Sequence, residues 1–106
     1  MPFELYYLPA YERCLKRLGD RQRRIAEFIV LGLWEHFNSG ILTLAGPHMV
    51  PIDKRTYRLV FKKLQGPIWE AYIEGQIRIL TRLEQNKHFL VFVGNHDQVR
   101  QFLKNI

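Results

Sequence analysis

The sequence predicts a small α+β domain: an N-terminal strand, an antiparallel helical hairpin, three to four consecutive antiparallel strands and a short C-terminal helix. Three observations predict it. Apolar residues recur at helical spacing through the first third of the chain, and the pattern switches to period two beyond residue 56. At 106 residues the chain has room for one core, hence for one domain over residues 1–106.

Phe3 to Leu8 is aromatic and β-favouring, and Pro9 closes it, which suits a first strand running into a helix with proline in its opening turn. From Ala10 to Leu18, Tyr11, Cys14, Leu15 and Leu18 fall on one helical face, with Glu12, Arg13, Lys16 and Arg17 opposite. Gly19 suits the end of that helix and Asp20 the cap of the next. The second helix, Arg21 to about Asn38, carries a stripe of Ile25, Phe28, Ile29, Leu33 and Phe37 before Ser39 and Gly40 end it. So short a junction predicts a helical hairpin. Residues Ile41 to Thr56 contain Gly46, Pro47 and Pro51 without a sustained period, and read as a connecting loop.

Tyr57 to Leu64 is the next strand, Gly66 and Pro67 form a turn, and Ile68 to Ile73 with Ile77 to Leu83 make a hairpin. A two-residue loop there would put Arg78 and Arg82 on the face of Trp69, Ala71 and Ile73. A three-residue loop, Glu74-Gly75-Gln76, gathers Trp69, Ala71, Ile73, Ile77, Ile79 and Leu83 on one face and Glu70, Tyr72, Arg78 and Arg82 on the other. The second separates apolar from charged groups far better and is the expected register. Phe89 to Val93 is apolar on both faces, as a strand covered on both sides would be. Asn95 with Gln98 has the spacing of a capping box, opening a last helix whose Val99, Phe102 and Leu103 can dock on the sheet.

Sixteen Lys and Arg against ten Asp and Glu give a net charge of +6, and the pI is near 9.8. That balance favours a polyanionic partner. The single cysteine, Cys14, excludes an internal disulfide framework, and its apolar neighbours make it a small core residue. His36, His48, His88 and His96 are scattered without ligand spacing, so no metal and no cofactor is expected. Met1 to Leu8 has no signal-peptide character and no run is long enough to span a membrane, so a cytoplasmic location is expected.

The concentration of cations around the hairpin stands out: Lys54, Arg55, Arg58, Lys62, Lys63, Arg78 and Arg82, with Tyr57 and Tyr72 among them. Cations interleaved with aromatics on a sheet face can hold single-stranded RNA by phosphate pairing and base stacking. The alternative is ordinary: Arg78 and Arg82 flank Glu70 as cross-strand ion pairs, and Lys62 and Lys63 form a solvated edge.

Four ordered segments carry a family resemblance. They are Lys62-Lys63-Leu64-Gln65-Gly66, Ile68-Trp69-Glu70-Ala71-Tyr72, Gln76-Ile77-Arg78-Ile79-Leu80 and Phe92-Val93-Gly94-Asn95-His96-Asp97-Gln98-Val99. Together they resemble the RelE/ParE superfamily of type II toxin-antitoxin toxins from Leu59 to Leu103, and the preceding helical hairpin agrees in placement.

The RelE branch implies a metal-independent endoribonuclease that cleaves mRNA on the ribosome and so inhibits translation. The ribose 2′-OH attacks the adjacent phosphate and leaves a 2′,3′-cyclic phosphate, a step that needs a base, cations for the phosphorane and an acid for the leaving oxygen. The resemblance assigns Arg78 to the transition-state phosphate and His96 to acid or base work. Lys62 and Lys63 would bind phosphate, one of the two also serving as a base, with Lys63 counted among the catalytic residues. Lys62, Arg82, Arg58, Tyr72 and Arg100 are the implied RNA- and phosphate-binding residues. Arg100 or Phe102 stands at the place of the family's terminal tyrosine and neither can be that base, a departure from the family pattern for which Tyr72 would substitute. The implied partner is a cognate antitoxin forming a hetero-oligomer with the toxin. The alternatives are a ParE-like inhibitor of DNA gyrase and a toxin-fold binding module without catalysis.

Overall fold

The computed structural model describes residues 3–38, 48–73 and 75–105, and it is an α+β fold of three helices on one six-stranded mixed sheet. In chain order the elements are β1 (Glu4–Tyr7), α1 (Pro9–Lys16), α2 (Asp20–Asn38), β2 (His48–Ile52), β3 (Arg55–Gln65), β4 (Ile68–Ile73), β5 (Arg78–Glu84), β6 (Lys87–Gly94) and α3 (His96–Lys104). The strands lie in the order β1-β6-β5-β4-β3-β2. Consecutive strands from β2 to β6 pair antiparallel, as short connections permit, whereas β1 returns beside β6 in parallel.

Two expectations are thereby corrected. The sheet has six strands rather than three or four, and it is mixed. The segment read as a loop supplies β2, whose Ile52 pairs with the Arg55 that already begins β3. Pro51 disguised it, but a proline is tolerated on an edge strand because its missing N–H can face outwards. The turn between them is Asp53-Lys54, with Asp53 at φ 57°, a backbone region that Asp adopts more readily than most residues. Residues 41–47 of that segment, the Ser39-Gly40 helix stop and Glu74 lie outside the described residues.

The hairpin register is the expected one: Ala71 lies opposite Ile79 and Tyr72 opposite Arg78. Gln76 N–H donates to the Ile73 carbonyl at 3.0 Å across the three-residue connection, where Gly75 takes φ 79°. One consequence is a sheet with two unlike faces. The face of Leu59, Phe61, Ala71, Ile73, Ile79, Leu90 and Val93 is buried with Ile25, Ala26, Ile29, Leu33 and Phe37 of α2 and Tyr11 of α1. Each of the Leu, Ile, Val and Phe side chains among them contributes about 2 kcal/mol by leaving water. Cys14 packs, half-buried, against this cluster.

The closed face also holds an imidazole. His88 is 1% exposed and ringed by Phe3, Phe37 and Phe61 at centroid distances of 5.4, 4.7 and 5.9 Å, and neither ring nitrogen has a hydrogen-bond partner. Burial lowers its pKa to about 4, so it is neutral at pH 7.

On the opposite face α3 covers part of β5 and β6. Asn95 Oδ1 accepts from Gln98 N–H and Gln98 Oε1 accepts from Asn95 N–H, both at 2.8 Å, so the expected capping box opens this helix. Val99, Phe102 and Leu103 then pack on Ile68, Leu80 and Phe92, with Phe102 stacked on Phe92 at 4.6 Å. β6 is therefore covered on both sides, as its doubly apolar sequence requires.

Candidate nucleic-acid interface

Alternation along paired strands places the open-face residues in rows. Val60, Tyr72, Arg78 and Gly94 form one row, and Lys62, Glu70, Leu80 and Phe92 the next. Because α3 takes up Leu80 and Phe92, one quarter of this face that stays uncovered is built by β3, β4 and the start of β5.

Glu70 sits at the centre of that quarter. Its side chain is only 4% exposed, and Arg78 Nη1 donates to its Oε1 at 2.9 Å while Lys62 Nζ lies 3.8 Å away. A carboxylate so deeply buried requires such partners. Tyr72 supplies the lateral wall: the Arg78 guanidinium carbon lies 4.1 Å and Lys62 Nζ 5.5 Å from its ring centroid. The ring and the carboxylate thus fix the Arg78 fork, which leaves its remaining donors in a defined direction. The three charged groups carry one net positive charge, and Arg58, two positions along β3 from Val60, adds a second, solvent-exposed one on the same face. This is a cationic surface with an aromatic plate and a preformed carboxylate, able to hold a phosphodiester and to accept a proton beside it.

The sequence-predicted site residues divide. Lys62, Tyr72 and Arg78 are brought together around Glu70, and Arg58 lies on the same face further along β3. His96 is the first residue of α3, two positions after the Gly94 that pairs with Arg78, so it stands at the same end of the sheet. It is exposed, with Nδ1 3.6 Å from Asp97. Arg100 lies further along α3, exposed to solvent.

Two residues do not join them. Lys63 pairs with Trp69 and therefore projects to the other face from Lys62, because neighbours in a strand point to opposite sides. Arg82 pairs with Ile68 and Phe89, four residues along β5 from Arg78. Its guanidinium lies 4.8 Å from the Phe89 centroid, and its Nε is 3.1 Å from Glu84. Of the cross-strand pairs weighed from spacing, Glu70 with Arg78 forms and Glu70 with Arg82 does not.

Sequence reasoning treated Glu70 only as a counter-ion. The signal that marks it as a site residue is its position, a carboxylate directly across β4–β5 and β3–β4 from cation-bearing strands, between Arg78 and Lys62. Among the described residues no group of three or more His, Cys, Asp or Glu is placed to hold a metal, and no helix is long and apolar enough to cross a membrane.

The fold and this face define an α+β domain with a cationic, aromatic-lined sheet surface. Comparison with protein-family models, with curated proteins and with solved structures gives no match.

Proposed function

We propose that the chain is a metal-independent endoribonuclease toxin of the RelE/ParE kind, cutting mRNA on the open face of the sheet and held in check by a cognate antitoxin. The observation that carries this reading is the clustering of Glu70, Arg78, Lys62 and Tyr72 on an uncovered sheet quarter, in the strands that bear the ordered motifs. Each requirement of the chemistry has a group within that quarter or at its end. Glu70 takes the 2′-OH proton as the oxygen attacks phosphorus. Arg78 and Lys62 stabilise the charge that builds on the non-bridging oxygens. His96 protonates the departing 5′ oxygen, leaving a 2′,3′-cyclic phosphate and a 5′-hydroxyl. Tyr72 offers a stacking plate for a base, and Arg58 a further phosphate contact.

This reading moves the base from the two lysines to Glu70, since Lys63 faces the other way and Lys62 serves the phosphate. Cell-free translation with intact and Glu70→Gln protein, followed by mapping of RNA ends, tests it. Intact protein yields discrete cuts with cyclic-phosphate ends and the variant loses about two orders of magnitude in rate, in the range of general-base removal. Uncut RNA with intact protein, or unchanged cleavage by the variant, defeats it.

A second reading, a toxin-fold module that binds without cutting, draws on the Glu70 to Arg78 contact itself, which already satisfies part of the arginine charge. RNA binding lost in Arg78→Ala without any cut by intact protein selects it. Induced DNA damage in place of translation arrest points instead to the gyrase-directed branch.

A further inference from the structure

The other notable surface lies at the opposite edge of the sheet and is independent of the cationic face. β1 is an edge strand whose inward hydrogen bonds belong to even-numbered residues: Glu4 N–H donates to the Asn86 carbonyl at 2.9 Å and Leu8 N–H to that of Leu90 at 3.2 Å. Period two turns the N–H and C=O groups of Phe3, Leu5 and Tyr7 outwards. The Phe3 N–H is met by Asn38 Oδ1 at 2.7 Å. Among the described residues no group takes up the outward amides and carbonyls of Leu5 and Tyr7. The other edge, β2, is blunted by Pro51, whereas β1 is guarded by its four-residue length and holds no proline between Glu4 and Tyr7.

Beside β1 runs a groove of about 560 Å³, walled by Tyr11 and Leu15 of α1 and by Leu31 and Trp34 of α2, with Tyr7 on its floor. Tyr7, Leu31 and Trp34 are 48%, 53% and 44% exposed, an unusual share of large apolar surface to leave wet. Among the described residues its only charged lining residue is Glu27, a carboxylate in a strongly cationic chain. Burial first, and then the charges of Tyr7 and Glu27, raise the pKa of the Tyr11 hydroxyl on the groove wall.

We propose that β1 and this groove receive an extended segment of another polypeptide as an added strand, its alternate apolar side chains entering the groove and one Lys or Arg reaching Glu27. The open edge supplies main-chain hydrogen bonds, the groove supplies side-chain selection, and the lone carboxylate fixes the sign of the charge.

Selection of displayed random decapeptides on the full chain tests this. The enriched sequences are expected to alternate apolar and polar residues with a basic residue at a constant position. A synthetic peptide of the strongest sequence slows hydrogen exchange at the amides of Leu5 and Tyr7. It binds about tenfold or more weakly to Glu27→Arg, a change at an exposed helix position that leaves the fold intact, and a lysine-to-glutamate twin of the peptide reverses that preference. No enrichment, acidic or helical binders, unprotected Leu5 and Tyr7, or indifference to Glu27→Arg each overturns the proposal. So does self-association of the free chain that buries this edge.

Discussion

The two faces of the sheet come from the same strands, yet they are built on opposite rules. The closed face admits one polar ring, His88, with no partner and in neutral form. The open face admits one buried carboxylate, Glu70, and surrounds it with cations and a tyrosine. Under the proposed function, the difference separates the groups that stabilise the fold from those that would do chemistry. A neutral imidazole, even without partners, is desolvated among three phenylalanines at far lower cost than an ion. A carboxylate needs partners there, and the cations that it demands are the groups a phosphodiester would use.

The largest effect that sharpens this contrast belongs to the closed face. Phe37 is 1% exposed and touches Phe3, Phe61 and His88, so Phe37→Ala is expected to cost roughly 3–5 kcal/mol in urea unfolding. On the open face, Arg78→Ala is expected to lower RNA cleavage by about 10²- to 10³-fold, roughly 3–4 kcal/mol of barrier, measured by end mapping under single-turnover conditions. Because alanine there strands the Glu70 carboxylate, the double variant Arg78→Ala, Glu70→Gln serves as control: it is expected to regain stability and to stay inactive. Lys63→Ala is expected to cleave at nearly the parent rate, since its side chain leaves the sheet on the other face.

Acid distinguishes the faces next. In the unfolded chain His88 takes up its proton as pH falls through 6.5, whereas in the fold it does so only near pH 4. The unfolded state therefore binds more protons across that window. Stability contributed by the neutral ring is complete above pH 6.5 and is lost by about 3 kcal/mol as pH falls to about 4. Urea titrations at several pH values check this, and His88→Phe is expected to flatten the profile in that window. The smallest effect is local: Asn95→Ala removes one half of the capping box and is expected to cost about 1 kcal/mol, read as a shift in urea midpoint with cleavage retained.

Sequence reading succeeded where neighbours along the chain decide. The capping box at Asn95 and Gln98, the three-residue connection around Gly75 and the stripe of α2 all depend on residues within a few positions of one another. The partition of β4 and β5 into an apolar and a charged face was legible for the same reason, since alternation is a local property. Reading failed where a strand is short and proline-bearing, as in β2, and where the pairing joins distant segments, as when Glu4 meets Lys87. Strict alternation could have separated Lys62 from Lys63, but their shared charge suggested a shared role.

By itself, then, the sequence determined an α+β chain with its helices first, its hairpin register and a face rich in cations, because periodicity and turn chemistry are written over short spans. Tertiary structure alone decided which cations act together. α3 covers the middle of that face and leaves Arg82 at the far end, while the β3–β4 pairing sets Lys62 across from Glu70. It also decided that His88 is walled in by Phe3, Phe37 and Phe61, residues up to 85 positions apart, whose meeting depends on the parallel return of β1 to β6. Such contacts join segments through packing energy summed over the whole core, and no local pattern encodes that sum.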